Sequence, residues 1–147
     1  MKENKKEIYI ELARISTEIR DYSSAKERII KHKDIYQNDT AICFSLLALG
    51  AFFSKNYSEY YQFMNDAQFL VENSKDSTTN ILHDLVLGHV NFTEKNSALY
   101  SINYNKARKL AIKNQLTSFF EKVASMLKCP PITHLSTHAQ VNDPLIA

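Results

Sequence analysis

Glycine occurs only twice in this 147-residue chain, proline three times and tryptophan not at all. The prolines (Pro130, Pro131 and Pro144) all lie near the C-terminus, so residues 1–128 contain nothing that forbids continuous helix. An all-β chain needs many more turn residues. Two glycines also cannot build a phosphate-cradling loop of the usual kind. The two cysteines, Cys43 and Cys129, form no CxxC pair. That argues against a disulfide framework and for packing residues in a reducing compartment. Long apolar runs are missing too. The opening MKENKKEIYIELARI alternates charged and apolar residues, unlike a secretory signal, and no segment approaches the ~20 apolar residues of a membrane span. The expectation is a cytoplasmic chain with no membrane partner, long enough for one domain with its own core.

Catalytic signatures are also lacking. His32, His83 and His89 have no histidine four residues away, and neither HExxH nor GxSxG occurs. No catalytic residue and no cofactor is expected. Cys129, His134 and His138 have the spacing C-x4-H-x3-H, within reach of tetrahedral zinc. Only Asp143 is nearby as a fourth ligand, and the expectation is that no metal binds.

Charge is present in both signs but unevenly spread. The net is +2 over the chain, with +2 over residues 1–37, −4 over 38–95 and +5 over 96–128. A total this small does not imply a nucleic-acid partner. The basic side chains Lys106, Arg108, Lys109 and Lys113 cluster within one predicted helix. They suit phosphate or an acidic partner, although a solvated helix face is the simpler account.

What organises the chain is a repeat. Asp21-Tyr22-Ser23-Ser24-Ala25, Asn56-Tyr57-Ser58-Glu59-Tyr60 and Asn96-Ser97-Ala98-Leu99-Tyr100 align, separated by 35 and then 40 residues. Each opens on a residue whose side-chain oxygen can cap a helix, and Glu59 placed after Asn56 makes a capping box. Apolar stripes at helical spacing follow, namely Tyr60, Phe63, Met64, Ala67, Leu70 and Val71, then Tyr100, Tyr104, Ala107, Leu110 and Ala111. Ala25, Ile29 and Ile30 form the shorter first copy. Another helical stretch precedes each cap, over 8–19, 41–53 and 81–92. A further helix begins near Ser118, with Ser118 and Glu121 as a capping-box pair and Phe119, Phe120, Val123, Met126 and Leu127 as its packing face. It ends before Pro130-Pro131.

The pattern resembles the tetratricopeptide family, through Leu49-Gly50 and Leu87-Gly88 in the first helices of the pairs and Ala25, Ala67 and Ala107 in the second. The resemblance covers residues 6–114. It implies an all-α fold of about three antiparallel helix-turn-helix repeats in a right-handed α-solenoid with a C-terminal capping helix. The domain would span 1–128, with 129–147 a loosely ordered tail. The Leu-Gly pairs are 38 residues apart and the caps 40, so two registers compete for the first helices.

In that family, partners lie along the concave surface of the first helices. Carried over through the caps, this implies a groove of Arg14, Leu49, Phe52, Phe53, His89 and Phe92, suited to a protein or peptide partner. The phenylalanines equally suit a core. The function implied is a non-catalytic adaptor or chaperone. Small secretion chaperones of this kind are commonly acidic, whereas the sequence pI here is near 8.5. An alternative is a regulatory protein resembling the helical-repeat sensor domains of bacterial transcription regulators. A third is a structural subunit or homodimer, in which Phe119 and Phe120 become interface residues.

Overall fold

The computed structural model describes residues 2–18 and 21–132. Within them lie seven α-helices and no strand, so the all-α expectation holds. They are α1 (Lys2–Glu18), α2 (Tyr22–Ile35), α3 (Thr40–Phe53), α4 (Tyr57–Glu72), α5 (Ser77–Thr93), α6 (Ser97–Lys113) and α7 (Thr117–Met126), with a 3-10 turn at Gln37–Asp39. Ile19, and the tail residues His134, His138 and Asp143 weighed as metal ligands, lie outside the described residues.

Three helix starts fall on the caps read from the repeat. A side-chain oxygen of Asp21 accepts from the Ser23 N–H at 3.1 Å, Asn56 from Glu59 at 3.3 Å and Asn96 from Leu99 at 3.2 Å. Asp76 does the same for α5, a cap the repeat alignment does not reveal. Two expected capping boxes do not form. The Asn56 N–H donates to the Ala51 carbonyl instead, while the Glu59 carboxylate accepts from Tyr22 Oη at 2.7 Å and Lys26 Nζ at 2.8 Å. Glu59 therefore ties α4 to α2, because a long-range hydroxyl and ammonium outcompete its own helix start. Helix α7 begins at Thr117, with Leu116 at its cap and no side-chain cap bond. Ser118 thus falls inside the first turn.

Helix ends repeat one device. Lys55, Lys95, Gln115 and Lys128 take positive φ, between 55° and 63°. Each is the left-handed residue of a Schellman motif. In the first, the Asn56 N–H reaches back to the Ala51 carbonyl and the Lys55 N–H to the Phe52 carbonyl. The same pair of bonds closes α5, α6 and α7. Left-handed backbone disfavours a β-carbon by roughly 1–2 kcal/mol, so four non-glycine residues hold these sharp exits at a cost.

The core is built around α3 and α5. Helix α3 (TAICFSLLALGAFF) carries no charge, and every residue from Ser45 to Phe52 is buried. A helix apolar all round belongs inside, and α3 packs on α1, α2, α4 and α5. Helix α5 touches α3, α4, α6 and α7, and α7 in turn reaches α1, so the first and last helices meet. Phe119 and Phe120 are buried within the single chain. Two polar clusters in the interior are paired: Asp39 accepts from Tyr9 Oη and contacts His32 Nε2, and Ser45 Oγ bonds His83 Nδ1 at 2.8 Å.

The competing registers are also resolved. A β-carbon at Gly50 would meet the Tyr22 ring of α2 at 3.1 Å, whereas one at Gly88 faces Tyr100 and Asn103 of α6 at 3.6 Å. The two Leu-Gly pairs therefore face different neighbours and are not equivalent positions. The 40-residue spacing of the caps and of Lys55 and Lys95 is the structural register.

Candidate functional site

A cavity of about 330 Å³ opens where the C-terminal ends of α1, α3, α5 and α7 meet the start of α2. Thr17, Phe53, Ser54, His89, Leu127 and Lys128 are among its walls. A second, adjoining cleft, about 620 Å³, shares His89 and Lys128 and adds Phe92, Lys95 and Tyr100. The positions follow from helix phase and helix endings. His89 sits one turn before the end of α5, and the left-handed residues Lys95 and Lys128 turn the chain at the rims.

His89 is the polar centre. It is 8 % exposed, its Nδ1 has no hydrogen-bond partner, and its Nε2 lies 3.4 Å from Thr93 Oγ1. The Phe53 ring meets it edge-on at 4.9 Å. Burial lowers the imidazole pKa, the Lys128 charge acts the same way, and the nearby Leu127 backbone partly opposes them without satisfying Nδ1. The ring is thus neutral at pH 7, with a free ring nitrogen in a mostly apolar wall. Phe53 and Phe92 are each about half exposed, at 46 % and 47 %. Lys95 and Lys128 supply positive charge, and among the described residues no acid lines either cleft.

The groove residues implied by the family resemblance divide into three sets. Phe53, His89 and Phe92 come together around these clefts. Leu49 is fully buried and Phe52 nearly so, its ring in tilted and edge-on contact with Phe53, Tyr57 and Tyr60. Both belong to the core, because α3 is covered on every side. Arg14 is half-buried and pairs with Glu11 on its own helix, lining neither cleft. Thr17, Ser54 and Lys128 are wall residues that sequence reasoning missed. Only the helix-end position of Ser54 and Lys128 hinted at them.

The basic cluster also divides. Arg108 donates to the Ile132 carbonyl at 2.8 Å and to Asn105 Oδ1 at 2.9 Å, and Tyr100 Oη donates to the Pro130 carbonyl. Arg108 is thus spent on a strap. Residues 129–132, assigned to a loose tail from sequence, are pinned to α6 and, through Cys129 Sγ on the Leu85 carbonyl, to α5. Burial pushes the Cys129 and Cys43 thiols up to about 12, which leaves both unreactive. Lys106, Lys109 and Lys113 border a different cleft. Among the described residues no three His, Cys, Asp or Glu side chains cluster as metal ligands, and no helix is long and apolar enough to cross a membrane.

No protein-family model, curated protein or solved structure matches this chain.

Proposed function

We propose that this chain is a non-catalytic adaptor or chaperone that captures a short segment of a protein partner at the His89 clefts, on a scaffold of tetratricopeptide type. In this reading α1–α2, α3–α4 and α5–α6 are three antiparallel repeats of a right-handed solenoid, and α7 caps its end. Support for the scaffold comes from the 40-residue register of cap and exit residues and from the central place of α3 and α5.

The observation that carries the function is a half-exposed phenylalanine at each of two adjoining clefts, Phe53 and Phe92, around a shared neutral histidine with one unpartnered ring nitrogen. A cavity of about 330 Å³ suits one large apolar side chain, whose burial is worth about 1.5–3 kcal/mol. A donor on that side chain would satisfy His89 Nδ1, and a neighbouring carboxylate would meet Lys95 and Lys128. The partner segment is therefore an aromatic or aliphatic anchor beside an acidic group. A sensor of signalling peptides is the second reading. The contact between α1 and α7 favours it, because it narrows an open groove to a site for one short segment.

The test is recovery of the tagged chain from its source cells with identification of co-purifying proteins, against Phe53→Ala/Phe92→Ala. Both side chains are half exposed, so the variant keeps its helical circular dichroism. A partner enriched with the native chain and reduced at least about tenfold with the variant supports the reading. Partners that persist, or recovery of the chain alone, would remove the clefts from the binding surface.

A further inference from the structure

The strap of residues 129–132 delivers the chain to the His89 clefts. Ile132 lines the cleft of about 620 Å³ together with Phe92, Lys95 and Lys128, and packs against the core beside it. Arg108 holds its carbonyl at 2.8 Å, and Tyr100 Oη holds that of Pro130. The chain therefore continues, at residue 133, from the rim of this cleft and not from the far side of the molecule.

Residues 133–147 read THLSTHAQVNDPLIA. They contain no lysine or arginine and one acid, Asp143, followed by Pro144, Leu145 and Ile146. The clefts have the complementary composition. Lys95 and Lys128 stand at the rims, Phe53 and Phe92 leave half-exposed rings uncovered, and no acid lines them among the described residues. An aliphatic anchor beside a carboxylate is what these walls lack. Leu135 is nearer to Ile132 but stands eight residues from that acid. A residue before proline favours extended backbone, and in an extended segment Asp143 and Leu145 point to the same side. Eleven residues separate Ile132 from Asp143 and reach at most ~36 Å. That is ample slack to turn back into a cleft that begins at Ile132 itself.

We propose that residues 141–146 occupy the His89 clefts of their own molecule, with Leu145 and Ile146 against Phe53 and Phe92 and the Asp143 carboxylate on Lys95 and Lys128. A partner segment of the same chemistry then binds only by displacing them. That displacement rests on the adaptor reading, whereas the self-docking does not.

The probe is a synthetic peptide of residues 139–147 with both ends blocked, so that Asp143 is its one charge. Isothermal titration calorimetry compares the native full chain with Leu145→Ser/Ile146→Ser, which alters no residue of the helical core. A tethered segment acts at a local concentration of about 1 mM. The expected result is a Kd of about 0.1 mM or tighter for the variant, and at least about tenfold weaker for the native chain, whose clefts are already filled. Adding Lys95→Gln/Lys128→Gln to the variant weakens the peptide at least about fivefold. Glutamine already holds the same left-handed conformation at Gln115, so both helix exits persist. The proposal is overturned by a variant Kd above about 1 mM, by equal affinity for native chain and variant, or by an affinity unmoved by the lysine changes. A native dimer that becomes a monomer with Leu145→Ser/Ile146→Ser, read by sedimentation, means exchange between copies and overturns docking within one molecule. Co-purification against Phe53→Ala/Phe92→Ala judges the adaptor reading separately. Equal peptide affinities with a partner still captured remove only the self-docking, and weaker native affinity with no partner captured removes only the adaptor.

Discussion

Helices α3 and α5 occupy matching places before caps that lie 40 residues apart, Asn56 and Asn96, yet bury opposite chemistry. Where α3 has Leu49, α5 has His89. Where α3 has Phe44, stacked on Phe63 of α4 at 6.0 Å, α5 has Asp84. Phe52 is buried, but its counterpart Phe92 is half exposed. One helix is closed by hydrophobic packing. The other keeps three polar side chains with an unpartnered atom, Asn80, Asp84 and His89, each beside a cleft, although both helices share the same caps and exits. Buried polar atoms left without partners cost stability, a cost that α5 bears and α3 does not.

Exchanging residues between the two helices breaks this comparison most sharply. Leu49→His places an imidazole where nothing can bond it and leaves a poorly filled core. It is expected to cost about 3–4 kcal/mol in urea denaturation. The reverse exchange, His89→Leu, removes an unpartnered ring nitrogen and is expected to be neutral or to stabilise by up to about 1 kcal/mol. Equal losses from both exchanges would mean that the two positions are alike after all.

Acid titration gives the next largest effect. Burial, against which Lys106 works, raises Asp84 to about 6, so its contribution to stability is fully present below the unfolded value of about 3.9 and lost as pH rises through 6. Burial, reinforced by Lys106, lowers His83 to about 4, and burial lowers His89 as well. Their contribution is present above about 6.5 and lost as pH falls through their lowered values, about 4 for His83. Between pH 4 and 6 the acid and the histidines oppose each other, and native stability is expected to change little. Asp84→Asn removes one side of the balance. Chemical denaturation should show a gain of about 2 kcal/mol at pH 8 and a steady decline on acidification. A gain that is equal at pH 4 and pH 8 would rule out a raised Asp84 pKa.

The smallest effect tests what the two helices share. Lys55→Gly and Lys95→Gly relieve the left-handed backbone at equivalent exits, and each is expected to stabilise by about 0.5–1 kcal/mol, read as a rise in Tm. A gain at one exit only would separate the two helix ends as well as their interiors.

Much of the helical layout was legible before any coordinates. Asp21, Asn56 and Asn96 announced three helix starts, because capping is a bond between residues two or three apart in sequence. Phe119, Phe120 and Val123 announced the packing face of α7 by their spacing. Glu59 misled for the complementary reason. Its short-range partner was visible in the sequence, while Tyr22 and Lys26, 37 and 33 residues away, were not. The Leu-Gly pairs misled in the same way, since only the neighbour that each glycine admits tells them apart.

The amino-acid sequence by itself determined an all-helical chain and the places of three of its caps. These depend on propensity and on contacts within a turn or two. Tertiary structure alone decided that Leu49 is core while His89 opens on a cavity, that Arg108 is spent on Ile132, and that Asp84 lies buried without a donor. Burial and hydrogen-bond partnership belong to the packing of distant helices, and identical helical phase is compatible with either outcome.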